Sequence, residues 1–299
     1  FLTFMIAGRK VGLSLGVATM LGTELGLITV MYNAQTGFKD FFAAFHIGLF
    51  ALVVTMFIGI TGVVVVKLRE LRVKSIPEYY QIRFGNKVRI VGAIILVVGG
   101  ILNMGLFLKV GAIFIQSMLG VAESELILSA IMIILLAMVL IYTTLGGMIS
   151  VIITDYIQFV VLSIGMILSI LFSIYHLGWV NIFTQIEMLA KDSRVIYDPI
   201  QSRGGFYITW QVILGFVSAV IWPTAITRAL SLDSSQTVKK QYLWSSVSFL
   251  IRFMIPCFLG ICAYVHFNGF TPESSWEKLA MMPRYLAEIL PVGLLGIMA

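Results

Sequence analysis

The most constraining feature of this sequence is a series of long apolar runs, each of about 17 to 31 residues, separated by short segments rich in glycine, proline and charge. A helix needs about 20 apolar residues to cross a bilayer. Backbone amides and carbonyls have no water to bind in lipid, so the runs must be helical. The spans are expected at about Val11–Tyr32, Phe41–Val66, Val88–Met118, Leu126–Tyr142, Met148–Tyr175, Phe206–Leu230 and Tyr242–Phe267. An eighth run begins near Leu290 and the chain stops inside it, so a piece of a longer protein is expected. Charged residues are only 11% of the chain and mean hydropathy is +1.02, too little charge to cover a soluble surface. The fold class is therefore an all-α membrane protein with about seven complete transmembrane helices in one domain over residues 1–299.

Lysine and arginine set the expected orientation. Arg9, Lys10, the loop 67–89 and the segment 228–240 carry most of the positive charge. The alternate connections carry Lys39, Lys191, Arg194, Arg203, Lys278 and Arg284 over greater lengths. The basic set is expected in the cytoplasm, which makes the protein multi-pass in the plasma (inner) membrane. The net charge of +6 then reflects topology, and no nucleic-acid partner is expected. The first span runs inside to outside and the sixth runs back, as in an inverted repeat of five helices. Residues 1–175 would be the first repeat and 206–299 an incomplete second one.

Cys257 and Cys262 share one apolar segment and read as buried thiols. His46, His176 and His266 have no ligand spacing, and no zinc, haem or organic cofactor is expected. The sequence has no HExxH or GxSxG motif, so an enzyme is not expected. Two connections read as short helices: Ser75–Gly85, with a proline near its start, and the amphipathic Trp179–Ser193.

Charged residues deep in a span cost on the order of 3 kcal/mol each and need a reason. Glu24 falls roughly 20 Å beyond the basic N-terminal pair at ~1.5 Å per residue. Gly22 and Gly26 flank it. An unwound helix with freed carbonyls and a small-residue packing face both fit this pattern. Arg252 is also near mid-membrane; pairing with Glu24 or with an anionic solute fits equally. Pro223, after Trp222, and the small residues Gly215 and Ser218 predict a break in the sixth span, five spans after the first irregularity. Asp155, with Thr154 and Gln158 close by, falls in the cytoplasmic half of the fifth span. Lys109 is expected to snorkel outward, and Gly165, Ser169 and Ser173 to form a packing face.

Four segments carry a family resemblance: FMIAGRKVGLSLGVATMLGTE, RVKSIPEYYQIRFG, YTTLGGMISVIITDYIQ and PTAITRALSLDSSQTVKKQ. Their order and spacing resemble the sodium:solute symporter family, over nearly the whole chain. The resemblance implies the leucine-transporter-like fold and symport of a small organic solute with a co-transported sodium ion by alternating access. It implies backbone carbonyls of Ala18 and Leu21 as sodium ligands, with the remaining ligands on an eighth helix beyond Ala299. It places Asp155, with Thr154, on a sodium exit path. Glu24, Arg252, Ser218 and Trp222 are then the candidate substrate contacts. Met20 stands where proline-transporting members have an aspartate, and Ser218 where sugar transporters have a tyrosine. A carboxylate or amino acid is therefore favoured over a sugar. Some members serve as membrane sensors ahead of signalling modules. That alternative would show in the sequence following residue 299.

Overall fold

In a computed structural model, residues 6–24, 26–120, 124–190 and 193–294 are described. They form fourteen α-helices and two short 3-10 turns, with no strand among the described residues. In chain order the helices are α1 (Leu13–Glu24), α2 (Leu27–Asp40), α3 (His46–Thr61), α4 (Val65–Glu70), α5 (Ile76–Phe84), α6 (Asn86–Leu119) and α7 (Glu125–Leu177). They continue with α8 (Trp179–Leu189), α9 (Ser193–Tyr197), α10 (Pro199–Arg203), α11 (Gly205–Ile221), α12 (Pro223–Ser231), α13 (Ser235–His266) and α14 (Ser275–Ile289).

Helix occupies every expected span, but not always as one rod. By length and composition, four helical stretches suffice to cross a membrane: 27–61, 86–119, 143–177 and 235–266. The pair α11 and α12, bent by 42°, makes a fifth. The expectation of about seven counted two stretches that are short or broken. The first span stops at Glu24 and resumes at Leu27, with Gly26 extended between them (φ −68°, ψ 171°). The fourth is a shorter apolar helix, Glu125–Ile141. Gly147, at φ 57° and ψ −155°, is a non-helical kink inside α7, between the fourth and fifth expected spans. The eighth run is described only as far as Leu294.

Local chemistry sets many helix ends. Ser75 caps α5 through the Glu78 amide, and Pro77 lies in the first turn, where its missing N–H costs nothing. Ser124, Asp198, Ser234 and Ser274 cap α7, α10, α13 and α14. The expected amphipathic helix appears as α8, with Ile182 and Ile186 buried. Ser169 and Ser173 are wholly buried and donate to carbonyls one turn back. Lys109, inside α6, lies over the Trp276 ring at 4.2 Å, a cation on an aromatic face. Cys257 and Cys262 are buried free thiols.

The core is organised around α13, which packs along both α2 and α3. Two glycines permit the α2–α13 approach. A Cβ on Gly37 would overlap the Cys257 carbonyl, and one on Gly260 would overlap that of Ala34. Backbone is met on each side, so no rotamer change relieves the clash. The helices around this seam bury Met31, Ala34, Phe38, Ile261 and Cys262 in one cluster.

Gly37→Ala or Gly260→Ala is therefore expected to cost about 1–3 kcal/mol, read as a lower unfolding temperature of the detergent-solubilised protein. Gly99→Ala, where a new Cβ meets nothing within 4 Å, should leave that temperature unchanged or raise it.

Candidate functional site

Asp155 is 8% exposed, although it stands in an apolar helix. Three donors converge on its Oδ2: Thr19 Oγ1 at 2.6 Å, Thr23 Oγ1 at 2.8 Å and Arg228 Nη2 at 2.9 Å. Thr19 and Thr23 are one turn apart on α1 and so present their hydroxyls to the same point. Between them, Gly22 lets the α1 backbone lie against the Asp155 carbonyl, where a Cβ would come within 2.6 Å. Arg228 arrives from α12, and its ion pair with Asp155 is buried on both sides. One carboxylate oxygen thus ties together the helices of the first, fifth and sixth spans.

This geometry revises two sequence expectations. Arg228, grouped there with the basic loop, is 7% exposed inside the bundle. Thr154 does not join Asp155: its side chain donates to its own helix at Val151 and is exposed. Gln158 lines a different, largely apolar cavity. No spacing in the sequence links positions 19, 23, 155 and 228. The available signal was an arginine on the apolar side of the loop it was assigned to.

A second polar centre joins the two helix breaks. Glu24 ends α1 and Thr224 lies in the first turn of α12, just after the break at Trp222. Thr224 Oγ1 donates to Glu24 Oε1 at 2.8 Å. The last turn of a helix carries partial negative charge and the first turn partial positive charge. Glu24 therefore opposes the dipole of its own helix and complements that of α12. Thr29, just past the break, donates to the Glu24 carbonyl.

Beside this centre is a cavity of about 280 Å3, near the lower end of the ~300–1,000 Å3 usual for small-molecule sites. Its polar wall is Glu24, His46, Thr55, Gln211 and Ser218; Met20, Phe249 and Phe253 are on the apolar wall. His46 was not picked out from the sequence. It is 6% exposed, its Nδ1 is 2.6 Å from the Ala43 carbonyl, and its Nε2 is buried with no partner among the described residues. With the proton on Nδ1, where the carbonyl requires a donor, Nε2 is an acceptor.

The other expected contacts fall differently. Ser218 lines the cavity, but Trp222 is outside its wall and 37% exposed. Arg252 is not in the cavity wall either, and it does not pair with Glu24. Its guanidinium lies over the Phe159 ring at 4.8 Å, and Nε, Nη1 and Nη2 have no hydrogen-bond partner among the described residues. Ala18 and Leu21 are both buried in α1. The helix stays wound through Glu24, so the unwinding expected around Gly22 occurs only beyond it. The Leu21 carbonyl belongs to the last described turn of α1. The Ala18 carbonyl is one turn earlier, where helix geometry gives it the Gly22 amide.

Helices interrupted beside one polar cavity, within an all-helical membrane protein, define the class of membrane transporter cores. The chain belongs to the sodium:solute symporter family, whose signature matches residues 4–299. It is 26% identical over 309 residues to sodium-coupled monocarboxylate transporter 2 of Homo sapiens, covering 96% of this chain and 46% of the relative. It is 32% identical over 209 residues to solute carrier family 5 member 4A of Mus musculus, covering 68% and 30% respectively. Sodium/glucose cotransporter 1 of Oryctolagus cuniculus is 34% identical over 132 residues, covering 42% of this chain and 18% of the relative. The chain thus spans about half the length of the monocarboxylate transporter it matches.

Removing one member of a buried ion pair strands the other in low dielectric, at a cost of about 3–5 kcal/mol. Asp155→Asn and Arg228→Met should each lower the unfolding temperature substantially. The double variant should recover more than half of the loss, because no charge is then left unpaired. Equal and additive losses in thermal unfolding would show that the two residues act independently.

Proposed function

We propose that this chain forms the core of a sodium-coupled symporter that moves a small organic carboxylate by alternating access. The observation carrying this reading is the Thr224–Glu24 hydrogen bond, which couples two interrupted helices at the wall of a small cavity. Interrupted helices free backbone groups for ligands and give the two half-helices room to move. The positions of the breaks, in the first and sixth spans, support an inverted repeat with residues 1–175 as one half and 206–299 as part of the other.

Charge supports both halves of the transport reaction. Asp155 and Arg228 neutralise each other, whereas Glu24 makes no salt bridge among the described residues and Arg252 faces only an aromatic ring. The unneutralised carboxylate, at the end of α1 near the Leu21 carbonyl, suits a sodium ion bound through oxygen. The Ala18 carbonyl would contribute its second lone pair. The unpartnered guanidinium of Arg252 suits a carboxylate, which it can hold with two parallel bonds. His46 Nε2 and Ser218, in a cavity wall that does not include Arg252, offer hydrogen bonds to a small solute. The name of the sodium-coupled monocarboxylate relative agrees with this substrate class.

Asp155 then serves the release of the cation toward the basic face, taken as cytoplasmic by the distribution of lysine and arginine. Arg228 is its resident counter-charge. A sodium ion reaching Asp155 exchanges with that guanidinium and loosens α12 from α1. The protein works in the plasma membrane in this reading.

Uptake of a labelled short-chain monocarboxylate into proteoliposomes should require a sodium gradient and vanish when choline replaces sodium. Sodium-independent uptake would sink the coupling. Arg252→Gln should raise KM for the carboxylate by about 10- to 100-fold, the worth of hydrogen bonds to a charged group. A neutral amide analogue should show little change. An equal effect on both compounds would remove Arg252 from substrate recognition.

A further inference from the structure

Three arginines meet at one open cavity of about 530 Å3 on the face that carries the basic loops. Arg9 comes from the segment before α1, Arg69 from α4 and Arg72 from the turn after it. Asp233 and Ser235, at the start of α13, complete the opposite wall. Two of the arginines have left-handed backbones, Arg9 at φ 60° and Arg72 at φ 54°, as does Ala7 at φ 49°. For residues other than glycine this conformation costs about 1–2 kcal/mol each and persists only where surrounding contacts fix it.

Those contacts are visible. The Arg9 guanidinium donates to the carbonyls of Arg72 and Val73. Arg69 donates through Nε to the Leu232 carbonyl at 2.9 Å and through Nη2 to the Asp233 carbonyl at 3.0 Å. Arg9 and Arg69 are therefore fixed as a scaffold. The Arg72 side chain is exposed and makes no hydrogen bond or ion pair among the described residues. The wall also holds two carboxylates, Glu70 and Asp233, which leave the three arginines in excess by one charge, and Asp233 is turned to its own helix start. A hydrogen bond from Thr237 holds its carboxyl below the usual range. The arginines repel one another: burial, and then Arg9 and Arg72, push the Arg69 guanidinium below its ordinary pKa.

We infer that this cavity binds a phosphate group, presented either by the phosphomonoester headgroup of an anionic lipid or by free phosphate. Guanidinium forks match phosphate oxygens, and a second negative charge offsets the repulsion within the cluster. The adjoining segments are already paired, Val11 N to the Ser231 carbonyl at 3.2 Å and Asp233 N to the Val11 carbonyl at 3.1 Å. A bound phosphate adds a second tie between the start of α1 and the end of α12. The inference does not depend on which solute is transported, or on transport at all.

The test uses the intact protein in nanodiscs of phosphatidylcholine alone, the same lipid with phosphatidic acid, and phosphatidylcholine with added inorganic phosphate. Thermal unfolding and mass spectrometry of retained lipid are the readouts. Stabilisation by phosphatidic acid only assigns the site to lipid; stabilisation by inorganic phosphate assigns it to the small anion. Arg72→Gln should weaken the effective anion by about fivefold, the worth of one arginine at a membrane surface, with the anion-free unfolding temperature unchanged. Ser235→Asp puts a carboxylate into the cavity at a helix start, where it is compatible with folding, and should abolish binding. No stabilisation by either anion, or undiminished binding in both variants, would overturn the site.

Discussion

A carboxylate inside an apolar bundle must have its hydrogen bonds supplied by the protein, and Asp155 obtains them from two other helices. That requirement places much of the structure. Thr19 and Thr23 bring α1 against α7, Gly22 removes the side chain that would hold the backbones apart, and Arg228 draws in α12. Around this point the buried cluster of Met20, Leu21, Ile152, Ala225, Ile226 and Tyr242 fills in. Apolar packing alone would leave several rotations of α1 acceptable, because lipid is as apolar as leucine. The hydrogen bonds to one carboxylate oxygen select a single rotation.

The helical layout was legible because lipid imposes one solution on any long apolar run. The run lengths gave the positions of the spans, and the proline near the start of Ser75–Gly85 marked a helix start that tolerates it. What the pattern could not show was where a span is interrupted. Gly22 and Gly26 look alike in sequence, yet one lies inside the wound helix, pressed on the Asp155 carbonyl, and the other is the break itself. Glycine permits both close approach and an extended backbone, and only the neighbouring helix decides which is used.

The site was half legible for a related reason. Asp155, Glu24 and Arg252 announce themselves because each is costly in a span. Their partners do not, since Thr19, Thr224 and Phe159 are ordinary residues at separations that no helical period connects. Proximity in sequence misled at Thr154, whose hydroxyl is satisfied by its own helix. Grouping by charge misled at Arg228, which was assigned to a solvated loop. His46 gave no warning, because a lone histidine near a span end carries no pattern. Its unpartnered Nε2 shows only once the cavity wall is assembled.

The uneven treatment of charge within the bundle supplies the last step. Folding has paired Asp155 with Arg228 at 2.9 Å and left Arg252 on an aromatic face. Leaving a buried guanidinium without hydrogen bonds costs more than any packing gain from that position. Glu24, facing the positive end of α12, makes no salt bridge among the described residues and feels Arg228 only at a distance. A cation at one and an anion at the other remove both costs together, and neither alone removes both. In the symporter proposed above, coupled binding of a cation and an anion would relieve both groups, because neither ligand alone reaches both.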